Sequence, residues 1–161
     1  MIVDSSILIH LSRIGRLELL KGFGVIRITE DVHRETVKEQ RGKPGTSSIK
    51  DACNSWIEIC KVGDKIREVA EQDGIEEADA SLILLAEEKK DILISNDYFL
   101  IRAARGRGIE CWWLTTLLLK AVEREIVEKE EAKQILLELI EGGMRLSVEV
   151  YAAILRRIDK L

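Results

Sequence analysis

The chain has 161 residues, 46% apolar and 34% charged, which suits one packed domain and excludes a disordered or collagen-like chain. Its formal charge of −4 excludes whole-molecule attraction to a polyanion, so only a local basic patch or a bridging cation could serve that purpose. No apolar run approaches the ~20 residues of a membrane span, and the start carries Asp4 with no basic stretch before it, unlike a secretory signal, so a soluble, cytoplasmic protein is expected.

Residues 1–3 form a short apolar strand that runs into Asp4-Ser5-Ser6, a capping sequence, and then Ile7, Leu8, Leu11 and Ile14 at helical spacing. A second short helix follows Gly15, and residues 25–28 read as a β-branched strand. Thr29 caps a helix predicted over 30–39, whose acidic first turn suits the helix dipole. The only proline, Pro44, lies in a glycine- and serine-rich loop. A helix over 48–56, a strand over 57–62 and a short helix over 65–71 come next, then the most apolar helix, 75–89. Strand 92–95, helix 97–105 and strand 109–113 follow. Helices 115–125, 130–141 and 147–158 complete the chain, with Gly142-Gly143 ending the middle one.

Strands alternating with helices predict an α/β chain, a three-layer α/β/α fold with a central parallel sheet of about five strands. A single domain over 1–161 is expected, with residues 115–161 as a helical extension. Its Leu136, Leu137, Leu139, Ile140, Tyr151, Ile154 and Leu155 are more apolar than terminal helices usually need, which suggests self-association. Cys53, Cys60 and Cys111 have no metal-binding spacing and are expected as free, buried thiols. Scarce Asn and Gln beside plentiful Glu, Lys, Arg and Ile point to a thermophile. Of the adjacent Trp112 and Trp113, one should be buried, because neighbours on a strand face opposite sides.

In parallel α/β sheets, ligands bind at the carboxyl ends of the strands. Asp4 follows the first strand and Asp97 the fourth, places where an Asp is also an ordinary helix cap. Asp79 shares a helical stripe with Leu82, Ile83 and Ala86, a costly position for a carboxylate that is neither paired nor ion-bound. Its place near the helix start also suits the dipole. Glu35 stands four residues from both Asp31 and Glu39, and such a row is either a solvated face or an anionic site. Carboxylates with no cysteine or histidine cluster favour hard, oxygen-preferring cations, Mg²⁺ or Mn²⁺. His10 and His33 are the only histidines, neither in a nucleophile setting, and His10 is expected on a helix surface.

Taken in order, Ile2-Val3-Asp4-Ser5-Ser6, Val32-His33-Arg34-Glu35, Glu77-Ala78-Asp79-Ala80 and Ser95-Asn96-Asp97 resemble the acidic quartet of the PIN-domain nucleases. The stretch from Asp4 to Leu11, and Gly-Met-Arg-Leu-Ser-x-Glu-x-Tyr at 143–151, are similar to a prokaryotic subfamily of VapC-like proteins. The resemblance implies a PIN-like α/β/α fold and Mg²⁺- or Mn²⁺-dependent cleavage of single-stranded RNA. It also implies the toxin half of a toxin–antitoxin pair, with an antitoxin partner, and a homodimer. Carried over by position, Asp4, Glu35, Asp79 and Asp97 are the catalytic acids, with Asp4, Asp79 and Asp97 on the metal. Ser5 and Asn96 are their supporting neighbours, and Arg102, Arg105 and Arg107 could follow the RNA backbone. Relatives often have a second Asp where this chain has Asn96, and Gly-Thr where it has Trp113-Leu114. These departures keep an alternative open: a catalytically weak or inactive PIN-like module that binds RNA or a protein partner.

Overall fold

Short apolar strands alternate with helices up to Trp112. In the computed structural model, which describes residues 1–161, the strands are β1 (Ile2–Val3), β2 (Ile26–Thr29), β3 (Ile57–Cys60), β4 (Leu93–Ile94) and β5 (Cys111–Trp112). They form one five-stranded sheet in the order β3-β2-β1-β4-β5 with every pair parallel. The central strands are wholly apolar, with Ile2, Val3, Leu93 and Ile94 fully buried, as a parallel sheet covered on both faces requires. The chain leaves β1 toward β2 on one side and returns through β4 on the other. The crevice between the carboxyl ends of β1 and β4 is thus the switch point of the sheet, the usual place for a ligand in such folds.

The helices are α1 (Ser5–Arg13), α2 (Glu30–His33), α3 (Thr46–Cys53), α4 (Ile66–Asp73), α5 (Glu77–Lys89), α6 (Tyr98–Gly106), α7 (Leu114–Glu123), α8 (Lys129–Glu141) and α9 (Val148–Lys160). A 3-10 segment, Leu17–Phe23, follows α1. The result is the three-layer α/β/α arrangement expected. One apolar cluster joins Ile7 and Leu82 to Leu117, Leu136 and Ile158, so α7, α8 and α9 share the core of the sheet. No helix is long and apolar enough to cross a membrane.

Two details differ from expectation. The helix expected over 30–39 starts as predicted, with the Thr29 hydroxyl accepting the Val32 N–H at 3.3 Å, but it widens into a π-type turn at Arg34–Lys38. There the buried Thr36 hydroxyl donates to the Val32 carbonyl at 2.7 Å, a local competition that bends helices. Cys111 is buried, but Cys53 and Cys60 are only half-buried because they lie at the periphery beside β3, an edge strand. Burial still pushes the Cys53 thiol up to about 11. Gly45 adopts φ +88°, and a Cβ there would come within 2.4 Å of the Ser12 hydroxyl, so only glycine lets α3 start against α1.

Candidate active site

Asp4 is the residue before α1, yet its side chain makes no cap bond. It is 6% exposed, and three hydroxyls donate to its carboxylate: Ser5 at 3.2 Å, Ser6 at 2.7 Å and Ser95 at 2.7 Å. A buried carboxylate is tolerated only with such partners. Ser95 is itself fully buried at the end of β4, and its oxygen accepts the Asp97 N–H at 2.9 Å. The two strand ends are thereby tied together through one acid. Asp97 does act as a cap, its Oδ1 accepting the N–H groups of Phe99 at 2.7 Å and Leu100 at 3.0 Å. Both bonds use one oxygen, and the residue remains exposed to the crevice.

Above this crevice an open cleft of ≈ 820 Å³ is lined by Asp4, Glu35, Asp79 and Asp97, with Ser5, Ser6, His10, Glu76 and Asn96 among the other walls. All the acids singled out from the sequence therefore meet one cavity. Asp79 lies in the first turn of α5, beside the buried Leu82. Its carboxyl is pushed up from 3.8 to about 7, first by burial and then by the charges of Asp4, Asp97, Glu76 and Glu35. Glu35 projects from the π-type turn, a feature frequent at functional sites. Burial raises its carboxyl too, opposed by the nearby Ser5 hydroxyl and helped by Asp4, Glu39 and Asp31. Ser5 thus stands between Asp4 and Glu35. Of the other acids in that row, Asp31 is paired with Arg34.

No lysine or arginine lines the cleft. Its acids supply oxygen donors and carry uncompensated negative charge, which fits a hard divalent cation. No group of three such side chains is gathered closely enough to hold an ion as they stand; the acids ring the cleft rather than meet at a point. On donor chemistry the residues fit the ion.

Asn96 does not reach the acids through its side chain. Its Oδ1 accepts the Leu114 N–H at 3.2 Å, and its Nδ2 points to the Met144 sulfur at 3.7 Å. Only its backbone N–H bears on the site, donating to the Ser6 hydroxyl at 3.3 Å. Asn96 therefore braces the end of β4 against α7 and the loop before α9. Of the three residues that hold Asp4, Ser5 was expected as a supporting neighbour, whereas Ser6 and Ser95 went unpredicted, as did Glu76 in the cleft wall. His10 is not the surface residue expected: it is half-buried in the cleft wall because it falls one turn beyond Ser6 on the same face of α1. Its Nδ1 is buried without a partner, and burial, aided by Arg13, lowers its pKa.

Among the arginines considered, Arg107 is held by Asp73 at 2.6 Å, Glu87 at 3.3 Å and Gln72 at 3.2 Å. That network links α4, α5 and the end of α6 and engages all three guanidinium nitrogens, although the side chain also borders a hollow shared with Arg102. Arg105 donates to the Cys111 carbonyl at 3.2 Å. Arg102 is exposed in a hollow of ≈ 580 Å³ that shares Gly74, Ile75 and Phe99 with the acidic cleft. A separate hollow of ≈ 750 Å³ gathers Lys38, Arg41, Lys43 and Lys50. Trp112 is buried against Phe23, ring centroids 6.2 Å apart, while Trp113 is half-buried ahead of α7.

A family model described as a PIN domain (DUF3368) matches residues 1–160. Among solved structures, the chain is similar to the crystal structure of PAE2754 from Pyrobaculum aerophilum, with a TM-score of 0.56 and 21% identity, over 76% of this chain and 96% of that one. At that identity the likeness speaks for the fold alone. No curated protein matches the chain.

Proposed function

The chain belongs to the PIN-domain family, whose members are in general nucleases, and on that premise we propose that it is a Mg²⁺- or Mn²⁺-dependent endoribonuclease hydrolysing phosphodiester bonds of single-stranded RNA. The observation that carries this reading is one open cleft lined by Asp4, Glu35, Glu76, Asp79 and Asp97, where burial and the neighbouring charges push the Asp79 carboxyl up. Crowded carboxylates with no cationic side chain among them are costly unless an ion joins them. Asp4, Asp79 and Asp97 would hold the ion, which when bound would acidify water and neutralise the phosphoryl oxygens.

This chain's own residues then have distinct tasks. Asp4 cannot swing, because three hydroxyls hold it; it gives the site a fixed reference point. Asp97 is pinned through one oxygen by the start of α6, which leaves the other for a ligand. Glu35, with its proton affinity raised, orients the attacking water or takes its proton. Arg102 supplies a positive charge beside the cleft for the neighbouring phosphate.

The VapC-like role, a cytoplasmic toxin with an antitoxin protein as partner, is supported by the resemblance at 4–11 and 143–151. A small upstream reading frame encoding a DNA-binding head and an amphipathic tail is its test. Homodimerisation has less to draw on than the sequence suggested. Leu136, Leu139 and Ile154 are buried within the monomer, and Leu137, Val148 and Val150 remain as exposed apolar side chains, at 40%, 79% and 45%. Sedimentation showing only an 18 kDa species would count against a dimer.

Two observations favour a second reading, a weak or inactive module that binds RNA or a protein without cutting: the Asn96 side chain bonds to Leu114 and Met144 and not to the acids, and no three ligands are already gathered. The deciding experiment is cleavage of labelled single-stranded RNA with Mg²⁺ or Mn²⁺. Activity lost in EDTA and restored by either metal supports the nuclease. Undiminished cleavage in excess EDTA overturns it, and binding without cleavage at any metal concentration selects the second reading.

A further inference from the structure

Aromatic residues are only 4% of the chain, with two Tyr and two Phe; Phe99 sits exposed at the lip of the acidic cleft, and Tyr98 is exposed next to it. Tyr98 is 60% exposed and Phe99 69%. Their rings meet edge to face with centroids 5.7 Å apart. Packing does not account for them, in contrast to Phe23 and Trp112, which lie against one another. Phe99 is placed by the cap itself, since its N–H donates to Asp97. Its ring borders both the acidic cleft and the hollow that contains Arg102.

We infer that Tyr98 and Phe99 form a stacking platform for the base of an unpaired nucleotide beside the phosphate bound in the cleft. Carboxylate, ring and guanidinium follow one another as Asp97, Phe99 and Arg102 along the start of α6. One nucleotide presents the matching series: a phosphate at the acids through a cation, a base on the ring, and the next phosphate at the arginine. A base is free to lie on an aromatic face only when it is unstacked from a duplex, and such stacking accepts any base because every base has a π-face. The occupant is therefore single-stranded nucleic acid, bound without strong sequence preference at this position. Continuity with the cleft and the charge of Arg102 favour it over a protein surface.

The inference rests on the nuclease reading, and the test separates the two. Parent, Phe99→Ala and Phe99→Trp are compared on a fluorescent single-stranded RNA of about 15 nucleotides and on the same strand annealed to its complement, with Mn²⁺. The Phe99 N–H that caps α6 is backbone and survives both substitutions, so thermal unfolding should not move. Phe99→Ala should raise KM for the single strand about 5- to 150-fold with little change in kcat, Phe99→Trp should restore it, and the parent should prefer the single strand over the duplex. An unchanged KM in Phe99→Ala, while the parent cleaves, overturns the platform and leaves the nuclease standing. A change in oligomeric state with unchanged KM assigns the rings to a contact between copies and also overturns it. If the parent neither binds nor cuts either RNA, both readings fall together.

Discussion

Replacing Asp79 by Asn keeps the shape of the side chain and removes its charge. In the folded chain this carboxyl holds its proton up to about 7, against an ordinary value of 3.8. Stability from a group raised in this way is fully present below the unfolded value and is lost as pH rises through the folded one. The loss therefore accumulates between pH 4 and 7 and is complete above it. The difference corresponds to about 4 kcal/mol if the carboxyl were dry. It is half-exposed to the cleft, and solvent screening halves this to about 2 kcal/mol. The charge also favours the first turn of α5, and losing that costs about 0.5 kcal/mol. Without metal, Asp79→Asn should therefore be about 1.5 kcal/mol more stable than the parent at pH 8, or some 3–6 °C in Tm for a chain of this size, and the two should converge near pH 4. The assay is thermal or urea unfolding in EDTA at both pH values. A variant equal to or weaker than the parent at pH 8 would refute the reasoning, because Asp79 would then be a structural acid and not one crowded into an anionic cleft.

Asp4→Asn should behave in the opposite sense. It presents an amide N–H₂ where hydroxyls now donate, so it should lose about 1–3 kcal/mol together with all cleavage, read by unfolding and by the RNA assay. Arg102→Ala should weaken RNA binding and reduce the slope of log affinity against log salt by about 1, measured by anisotropy across a salt series. Arg107→Ala should leave that slope unchanged and cost about 1 kcal/mol of stability, since its guanidinium joins Asp73 and Glu87 in a partly buried network. RNA binding that responds to Arg107 and not to Arg102 would reverse the assignment of the backbone contact.

The strands were legible because a parallel sheet buried on both faces demands continuous apolar runs, and Ile2-Val3 and Leu93-Ile94 are such runs. Asp4 and Asp97 were legible because they follow those runs directly, and Asp79 because its helical neighbours are apolar. Of what holds Asp4, the adjacent Ser5 was legible and Ser95 was not. Ser95 reaches it only because β1 pairs with β4, a contact between residues far apart in the chain, and a serine after a strand carries no signal of its own. The same limit applies to Arg107, whose partners Asp73 and Glu87 come from α4 and the end of α5. His10 was misplaced because its apolar neighbours Ile7 and Leu11 fill the core side of α1, while its own side turns to the cleft rather than to open solvent. The π-type turn that carries Glu35 was not legible, because the Thr36 hydroxyl that bonds back to Val32 there competes with regular helix without altering its apolar pattern.

The most direct test of the acidic cleft as a metal-dependent site is an anomalous difference map from crystals of the protein soaked in Mn²⁺, at a concentration that supports RNA cleavage in solution. The expected result is a peak within coordination distance of the Asp4 carboxylate, shared with Asp79 or Asp97, and absent from Asp79→Asn or much weakened there. A chain that cleaves RNA at that concentration and shows no Mn²⁺ in the cleft would contradict it.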